Sequence, residues 1–370
     1  MSWRIALARP DLGEEEISAV SRVLRGPVLT SGPETEAFER EFAAYHGAEH
    51  GVAFANGTVA LVALYAALGI GPGDEVVVPS LTFVSSATSV VFAGATPVFA
   101  EVDPETFNLD AADVARRMGP RVKAILAVHY GGQPADLAEL AQIAQAAGVF
   151  LLEDAAEAHG ARYRGRHVGT LGQAGMFSFT PTKNITTGEG GMILTGDHQL
   201  AERLRQLRNH GQSEPYVHSL LGCNWRITEM QAAIGRVQVT KLSGILARKL
   251  ALAERLDRLI EGLPGVQTPT VRPDRDHVHM LYTVKLDSGP AMRDAVIDEM
   301  ERRGIETRVY FPPVHRQPIF VGTSPALPVT EDVAGRILSL PIHSRLTFDE
   351  LEEVAEALAE TIGAVCAGRT

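Results

Sequence analysis

The stretch 136–154, "DLAELAQIAQAAGVFLLED", joins an amphipathic segment, a glycine and a short apolar run in immediate succession. Apolar residues recur every three or four positions from Asp136 to Ala147, which predicts a helix, and Gly148 is suited to end it. The apolar run Val149–Leu152 predicts a buried strand. A helix followed at once by a buried strand is the repeating unit of a parallel sheet whose helices cover both faces.

The same alternation extends towards the N-terminus of this stretch. Short runs rich in β-branched residues predict further strands at Glu75–Val78, Thr96–Phe99 and Val122–Val128. Parallel sheets bind ligands beyond the carboxyl ends of their strands. The sequence therefore predicts an α/β fold with its functional site at that edge of the sheet.

The pattern changes in the second half of the chain. A periodic segment from Glu229 to Leu263 predicts a long helix interrupted at Gly244, and the proline-rich and charged run 264–276 predicts a boundary. Beyond it we expect an α+β unit made of one strand in "HVHMLYTVKL" (277–286), a helix near Ala291–Arg303 and a final helix from Asp349. The predicted division is a large domain, 1–245, with an N-terminal arm, and a small C-terminal domain, 246–370, preceded by a bridging helix.

Composition excludes several classes of protein. The net charge of −11 over 370 residues disfavours non-specific binding to nucleic acid or to an anionic membrane. The two cysteines, Cys223 and Cys366, form neither a disulfide framework nor a zinc motif, which favours a reducing cytoplasm. We see no signal peptide and no run of about 18 apolar residues that would span a membrane. The expectation is a cytoplasmic protein.

Two histidine patterns resemble metal motifs. His46 and His50 in "HGAEH" satisfy H-x-x-E-H, but Gly47 favours a turn over the helix that such a site needs. His277 and His279 alternate on the strand predicted at 277–286, and no third ligand is near them in the sequence. No metal site is predicted.

A candidate anion site lies at Asn56-Gly57-Thr58, where a strand-like run gives way to an apolar helix-like run. Glycine lets a ligand approach the backbone, and the first amides of a helix attract negative charge. An ordinary turn with Thr58 as the helix cap explains the same residues. The motif matches neither the P-loop nor the dinucleotide fingerprint, so a nucleotide cofactor is not predicted.

Two short segments carry ionisable side chains that are candidates for chemistry. The pair Glu153-Asp154 follows a buried-looking strand directly, so a carboxylate there either points into the ligand crevice or caps the next helix, a role that suits Asp. Lys183 lies in "SFTPTKNITTGEGG" (178–191) and is the only lysine or arginine between Arg166 and Arg203. A reactive lysine needs such a sheltered, hydrogen-bonding environment, although most loop lysines are simply solvated.

Taken in order, the motifs of this chain resemble those of the DegT/DnrJ/EryC1/StrS family of pyridoxal-phosphate (PLP) aminotransferases that act on sugars. The resemblance covers nearly the whole chain and rests on runs that include "ANGTVAL" (55–61), "PSLTFVSSATSVVFAGATPVFAEVD" (79–103), "LLEDAAEAHGA" (151–161), "SFTPTKNITTGEGGM" (178–192) and "GCNWRITEMQAAIGRVQ" (222–238). It implies the aspartate-aminotransferase fold (fold type I), in which helices flank a mainly parallel central sheet and a smaller α+β domain follows.

The resemblance also implies roles for individual residues. Lys183 would hold PLP covalently and then act as general acid and base, and Asp154 would pair with the pyridinium nitrogen of PLP. Glu157 would lie near the phenolic oxygen of PLP, at a position that is often Gln or His in relatives and is Glu in perosamine-synthase-like members. The remaining cofactor contacts would come from Gly57, Thr58 and Ser178 at the phosphate, Phe83 stacked on the pyridine ring, and Asn224 reaching the phosphate of the neighbouring subunit in a homodimer with shared active sites.

By the same resemblance, the substrates are L-glutamate and a nucleotide-linked keto sugar, such as a 4-keto-6-deoxyhexose, which becomes an amino sugar. Arg226 is the candidate for the donor carboxylate, while Arg308, His315 and Arg316 are candidates for the sugar nucleotide. Relatives that dehydrate sugars carry histidine in place of Lys183. A synthase of the 3-amino-5-hydroxybenzoate type keeps the lysine, so that alternative stays open. A non-catalytic regulatory protein is the third alternative, which the intact set of Lys183, Asp154 and Ser178 disfavours.

Overall fold

The computed structural model describes residues 3–322 and 325–367, with the side chains of 365–367 left out. The helices of this described part are α1 Glu14–Leu24, α2 Pro33–His46, α3 Gly57–Ala67, α4 Ser85–Phe92, α5 Ala111–Arg117, α6 Leu137–Ala147, α7 His198–Arg208, α8 Glu229–Ile260, α9 Pro290–Arg302, α10 Pro328–Arg336 and α11 Phe348–Ala367. The strands are β1 His50–Phe54, β2 Glu75–Pro79, β3 Thr96–Ala100, β4 Val122–Val128, β5 Phe150–Asp154, β6 Arg162–Tyr163, β7 Arg166–His167, β8 Ala174–Ser178, β9 Gly191–Thr195, β10 Gln212–Glu214, β11 Val217–His218, β12 Val266–Gln267, β13 Arg275–Asp276, β14 Tyr282–Leu286 and β15 Ile337–Leu340.

A seven-stranded central sheet organises the first two thirds of the chain. Its strand order is β1-β9-β8-β5-β4-β2-β3, and only β9 runs antiparallel to its neighbours. Gly148 ends α6 with a left-handed backbone (φ 66°), and the chain then enters β5 directly. The predicted α/β fold with a mainly parallel sheet flanked by helices is therefore confirmed.

Each face of the sheet packs into its own apolar core. Ile125 and Ala127 of β4 face a core shared with α2, α5, α6 and the first half of α8. Ala124 and Leu126, the alternating residues of the same strand, face a second core shared with α3, α4 and α7. Because side chains alternate along a strand, one continuous apolar run supplies both cores.

A third core lies in the C-terminal part of the chain. It is formed by the antiparallel sheet β12-β14-β15, by α9 and α11, and by Leu252 and Leu256 from the second half of α8. Ile5 forms a bridge with Ile305 and is buried in this same core, so the N-terminal segment packs on the C-terminal unit. The division at residue 245 falls inside α8 and remains a prediction.

Two sequence predictions in this region are wrong. α8 is a single helix through Gly244, because Gly244 lies on an exposed face and one glycine costs a long helix only about 1 kcal/mol. The strand predicted at 277–286 is confined to β14, so His277 and His279 precede it. Their rings stack with centroids 4.1 Å apart, and φ of +45° at His279 interrupts the extended backbone. By contrast, α2 ends at His46 and Gly47 adopts φ +73°, as the turn prediction requires.

None of the helices in the described ranges is both long and apolar enough to cross a membrane. Cys223 is exposed and is not part of a disulfide. The side chain of Cys366 lies outside the described residues.

Glu229, the first residue of α8, closes the N-terminus of a different helix. α2 starts after Gly32, which has no side chain to cap it. The buried carboxylate of Glu229 instead accepts hydrogen bonds from the backbone N–H groups of Gly32, Glu34 and Thr35 at 2.8–3.0 Å, and from the Thr35 hydroxyl. Burial by itself would raise the pKa of Glu229, but these hydrogen bonds outweigh it and lower the pKa below the ordinary value of 4.5.

We predict that Glu229→Gln destabilises the protein by about 2 kcal/mol at pH 7, because an amide replaces a charged acceptor of several helix N–H groups. The pKa of Glu229 is lower in the folded state than in the unfolded state. Its stabilising effect is therefore complete at pH values above the unfolded-state pKa and is lost as the pH falls through the folded-state pKa. Unfolding midpoints of wild type and variant should differ at pH 7 and converge below pH 4.5. Glu254→Gln, at an exposed position of α8, is the control, and its unfolding midpoint should equal that of wild type both at pH 7 and below pH 4.5. If the difference between the unfolding midpoints of wild type and Glu229→Gln did not change with pH, the charge of Glu229 would not be what stabilises α2.

Candidate active site

Asp154 is the last residue of β5, at the carboxyl edge of the parallel sheet. Its carboxylate is buried, and it accepts hydrogen bonds from Ser86 Oγ at 2.8 Å and from the Ala156 N–H at 3.1 Å. Burial raises the pKa of Asp154, and the hydrogen bond from Ser86 offsets only part of that effect. Among the described residues, no lysine, arginine or histidine forms an ion pair with it. The site thus holds a buried carboxylate without a described ion-pair partner, although the nearby charge of Lys183 acts to lower its pKa.

Lys183 lies in the loop between β8 and β9. Its Nζ donates a hydrogen bond to Glu157 Oε1 at 3.2 Å, and Glu157 Oε2 accepts one from the Gly131 N–H at 2.8 Å. Both side chains are largely shielded from solvent. Glu157 thereby ties the amine of Lys183 to the backbone that follows β4.

The threonines around Lys183 shape its loop. Thr186 Oγ1 donates to the carbonyl of Phe179 at 2.8 Å and accepts from the Gly188 N–H at 2.9 Å. Thr187 Oγ1 donates to the carbonyl of Glu189 at 2.7 Å. These hydroxyls form hydrogen bonds with backbone groups of the loop, so they fix the position of the lysine without contacting its amine.

The N-terminus of α3 packs against the end of β8. Asn56 caps the helix by accepting from the Val59 N–H at 3.0 Å. A Cβ atom at Gly57 would lie 2.9 Å from Met176 Sδ and 3.3 Å from the Cβ of Ser178, so only glycine allows this contact. Thr58 Oγ1 lies 2.8 Å from Ser85 Oγ at the start of α4. Backbone N–H groups and hydroxyls therefore converge where a phosphate or carboxylate would bind.

Phe83 precedes α4, and its carbonyl accepts a hydrogen bond at 3.1 Å from the backbone N–H of Ser86, the residue that binds Asp154. Phe83 is 57% exposed, which is unusual for phenylalanine, and its ring centroid lies 6.0 Å from that of Phe311. An exposed ring of this kind offers a flat apolar surface to a planar ligand.

Three of the predicted residues are not joined to this cluster by any described contact. Asn224 is exposed, and its backbone forms a bridge with Asn209 on the segment that leads to α8. Arg226 Nη1 donates to Asn209 Oδ1 at 2.5 Å. Arg308 forms an ion pair with Glu306 at 3.3 Å and lies over the ring of Trp3. Their roles stay predictions.

The substrate role predicted for His315 conflicts with its surroundings. The residue is buried, its Nδ1 lies 2.6 Å from Ser80 Oγ, and its Nε2 lies 3.1 Å from Glu331 Oε1. Both ring nitrogens are therefore occupied, and the side chain ties the end of β2 to α10. Arg316 is likewise engaged, because its guanidinium donates to both oxygens of Glu331 at 2.7 Å.

Glu153 is a residue of this site that the sequence reasoning did not assign. It lies beside Asp154 but faces the opposite side of β5 and is completely buried. Its carboxylate accepts from the N–H groups of Gly169, Leu171 and Gly172 at 2.6–2.7 Å and from His129 Nε2 at 3.1 Å. His129 Nδ1 accepts from the Ala135 N–H at 3.0 Å, which places the ring proton on Nε2.

This network fixes the end of the strand that carries Asp154. Burial alone would raise the pKa of Glu153, but the hydrogen bonds from His129 and the loop N–H groups lower it, so the group is an anion. One sequence feature could have identified Glu153, namely a glutamate at the end of an otherwise apolar strand, because a buried charge needs hydrogen-bonding or charged partners.

Comparison with known proteins identifies relatives over almost the full chain. Residues 10–359 match the model of the DegT/DnrJ/EryC1/StrS aminotransferase family. A dTDP-3-amino-3,4,6-trideoxy-alpha-D-glucose transaminase from Streptomyces venezuelae is 42% identical over 358 residues, which cover 95% of this chain and 93% of that protein. A GDP-perosamine synthase from Caulobacter vibrioides is 40% identical over 365 residues, covering 97% and 98%.

A solved structure has the same fold. The crystal structure of DesV from S. venezuelae, in complex with a ketimine intermediate, superposes with a TM-score of 0.90 at 42% identity and covers 94% of each chain. The similarity includes both the central sheet and the C-terminal unit, because the shared region spans nearly all of both chains.

We predict that Glu153→Gln destabilises the protein by about 3 kcal/mol. An amide nitrogen cannot accept hydrogen bonds, so one pair of donors loses its acceptor in a buried environment, either His129 Nε2 with the Gly169 N–H or the N–H groups of Leu171 and Gly172. The unfolding midpoint should fall, and limited proteolysis should cut the loop 169–172 faster. Glu139→Gln, at an exposed position of α6, is the matched control. A midpoint equal to that of wild type would show that Glu153 does not hold this loop.

Proposed function

The chain belongs to the DegT/DnrJ/EryC1/StrS aminotransferase family, and we propose that it transfers the amino group of L-glutamate to a keto sugar carried on a nucleotide, using PLP. One observation carries the proposal: the buried carboxylate of Asp154 forms no ion pair with any described residue, and the sheltered amine of Lys183 lies near enough for its charge to lower the pKa of that carboxyl. Relatives named for sugar-nucleotide transamination support the substrate class.

The residues present fit PLP, which has a phosphate, a ring nitrogen that can be protonated and a carbonyl group that reacts with amines. Asp154 supplies an anion for the ring nitrogen, and Lys183 supplies the amine. The phosphate would bind at the N-terminus of α3, beside Thr58 and Ser178, where Gly57 leaves room for the close packing of helix and strand. Phe83 would cover one face of the ring.

When bound, PLP withdraws electrons from the carbon that carries the amino group, and this chemistry belongs to the cofactor. The protein supplies orientation and proton transfer. Asp154 would stabilise positive charge at the ring nitrogen. Burying this anion is unfavourable, and the hydrogen bond from the Ser86 hydroxyl offsets part of that cost. Lys183 Nζ takes the proton from Cα of the donor and later delivers a proton to the sugar carbon that receives nitrogen. Glu157 accepts a hydrogen bond from that Nζ and keeps it directed into the crevice.

Glu157 would face the phenolic oxygen of PLP. Two anions in contact repel each other unless a proton lies between them. The hydrogen bonds from Lys183 Nζ and the Gly131 N–H offset part of this cost, because both donors lie on the carboxylate. Glutamate at this position resembles perosamine-synthase-like members, which favours a 4-keto-6-deoxyhexose as the acceptor. Arg308 and Arg226 are the proposed contacts for the sugar nucleotide and for one donor carboxylate, respectively.

The active unit is proposed to be a homodimer in which Asn224 reaches the phosphate of the partner's cofactor. Asn224 is exposed, and large apolar side chains lie near it in the sequence with nothing covering them in one chain. Tyr216 is 91% exposed and Leu221 is 97% exposed. Exposed apolar residues of this size are typical of surfaces that pack against another protein.

The first test is the visible absorbance of purified wild type with and without L-glutamate, followed by product analysis with keto-sugar nucleotides. We predict a cofactor band that L-glutamate bleaches and that the keto sugar restores. Lys183→Ala should slow amino transfer by about 100-fold or more, because the proton carrier is lost. Lys123→Ala, at an exposed lysine of β4, is the control and should keep wild-type turnover.

A protein that stays colourless with added PLP would contradict the proposal and favour a non-catalytic role. A sugar product that lacks a hydroxyl but gains no nitrogen would indicate dehydration. Conversion of a cyclic non-sugar ketone to an aromatic amine would indicate the hydroxybenzoate type of synthase.

Mixed dimers test the shared site. Lys183→Ala and Asn224→Ala, each weakly active alone, should regain activity when co-expressed with different tags and purified as a mixed dimer, because one of its two sites then combines an intact lysine with an intact asparagine. Each variant purified alone is the control. If Asn224 served its own chain, no site of the mixed dimer would be intact and activity would not recover.

A further inference from the structure

Lys249 is a fully buried lysine to which the mechanism gives no role. It lies on the apolar face of α8, one turn from Ile245 and three residues before Leu252, and is 4% exposed. Its Nζ donates to Asn184 Oδ1 at 2.7 Å and to the carbonyl of Met280 at 3.3 Å. Among the described residues, no carboxylate lies within ion-pair distance of it.

A cavity connects this lysine with the active-site lysine. It is small, with about 20 Å³ of space for a water-sized group, and lies between the N-terminal segment at Arg9, the loop at Lys183 and Asn184, α8 at Lys249, and the segment after β15 at His343. Its lining carries three basic side chains, Arg9, Lys183 and Lys249, and one acidic side chain, Asp11, whose Oδ2 accepts from Ser344 Oγ at 2.9 Å.

Two polar groups on the lining lack a partner. The amide nitrogen Nδ2 of Asn184 and Nδ1 of His343 are buried without a hydrogen bond. Because an ammonium can only donate, Lys249 fixes Oδ1 of Asn184 towards itself and leaves Nδ2 with two unused protons. Buried donors without acceptors are rare in proteins, so a water, an ion or a ligand in this cavity would supply the missing acceptor.

We propose that this cavity binds a carboxylate group of the amino donor, held by Lys249 and Asn184. The inference rests on the proposed function, and it names a subsite of that same reaction. A carboxylate would give Lys249 its missing counter-ion and would accept from Asn184 Nδ2. The cavity adjoins Lys183, so a donor anchored there would present its Cα to the amine that removes the proton.

Electrostatics agree with this assignment. Burial lowers the pKa of Lys249 to about 7, with Glu157 acting in the opposite direction, and an anion bound beside the ammonium would raise the pKa and favour the charged form. Burial and the charge of Lys249 lower the pKa of His343 to about 4. His343 therefore stays neutral at pH 7 and adds no competing charge.

The test uses the holoenzyme and follows each half-reaction separately by cofactor absorbance. In Lys249→Met the half-saturating concentration of L-glutamate should rise at least tenfold, a loss typical of one charge-assisted hydrogen bond. The half-saturating concentration of the keto-sugar nucleotide should stay within twofold. Lys241→Met, at a lysine of the same helix that pairs with Glu15 and Glu16 outside the cavity, is the matched control.

Lys249→Gln is a second variant that tests whether a folding defect explains the result, since glutamine keeps a donor for Asn184 but carries no charge. It should show the same selective rise in the half-saturating concentration of L-glutamate. An unchanged half-saturation for L-glutamate, or an equal change for both substrates, would overturn the proposal and leave Lys249 a structural role.

Glutarate, a dicarboxylate without an amino group, provides a binding probe that does not need turnover. Calorimetry should detect its binding to wild type and at least tenfold weaker binding to Lys249→Met. If wild type transferred no amino group yet bound glutarate in this way, the proposed function would fail while the carboxylate site stood. If wild type transferred amino groups and both proteins bound glutarate equally, the carboxylate site would fail alone.

Discussion

The site depends on the alternation of side chains at the end of one buried strand. In β5, Glu153 and Asp154 point to opposite faces of the sheet, because successive residues of a strand must do so. Both oxygens of the Glu153 carboxylate accept hydrogen bonds, from His129 and from backbone N–H groups of the loop 169–172. These bonds hold the end of the strand in place. Asp154 is left with only the Ser86 hydroxyl and one backbone N–H as hydrogen-bond donors to its carboxylate. One carboxylate stabilises the position of the other, and the second is free to neutralise a bound cation.

Local patterns were enough to predict the framework. Apolar residues recur every three to four positions at 136–147 and a glycine follows, which predicted α6. The apolar run at 122–128 predicted β4 with its observed bounds. Asp154 was predicted because it lies where a buried strand ends, and a parallel sheet collects those ends at one edge. Lys183 was predicted because it is the only lysine or arginine in a long run of hydroxyl and glycine residues, and the family resemblance assigned its role. The strands β8 and β9 were not predicted, since their short runs "AGMFS" and "GMILT" contain glycine and lack clear alternation.

Partners distant in the sequence could not be predicted. His315 looked like a free polar residue, and only the fold reveals that Ser80 and Glu331 occupy its ring. Lys249 looked like an ordinary lysine of an amphipathic helix. Its position among Leu242, Ile245, Leu252 and Leu256, at helical spacing, was the signal that it lies on the buried face. Periodicity assigns a residue to a face, but the tertiary structure decides what the residue meets there.

The most direct measurement is the identity of the lysine that carries the cofactor. Borohydride converts a lysine–PLP linkage into a stable secondary amine, which peptide mapping by mass spectrometry can locate. The site described here predicts the pyridoxyl group on Lys183 and none on Lys249, although both amines line one cavity. A label on Lys249, on another lysine, or on none would contradict the assignment of Lys183 as the reacting amine.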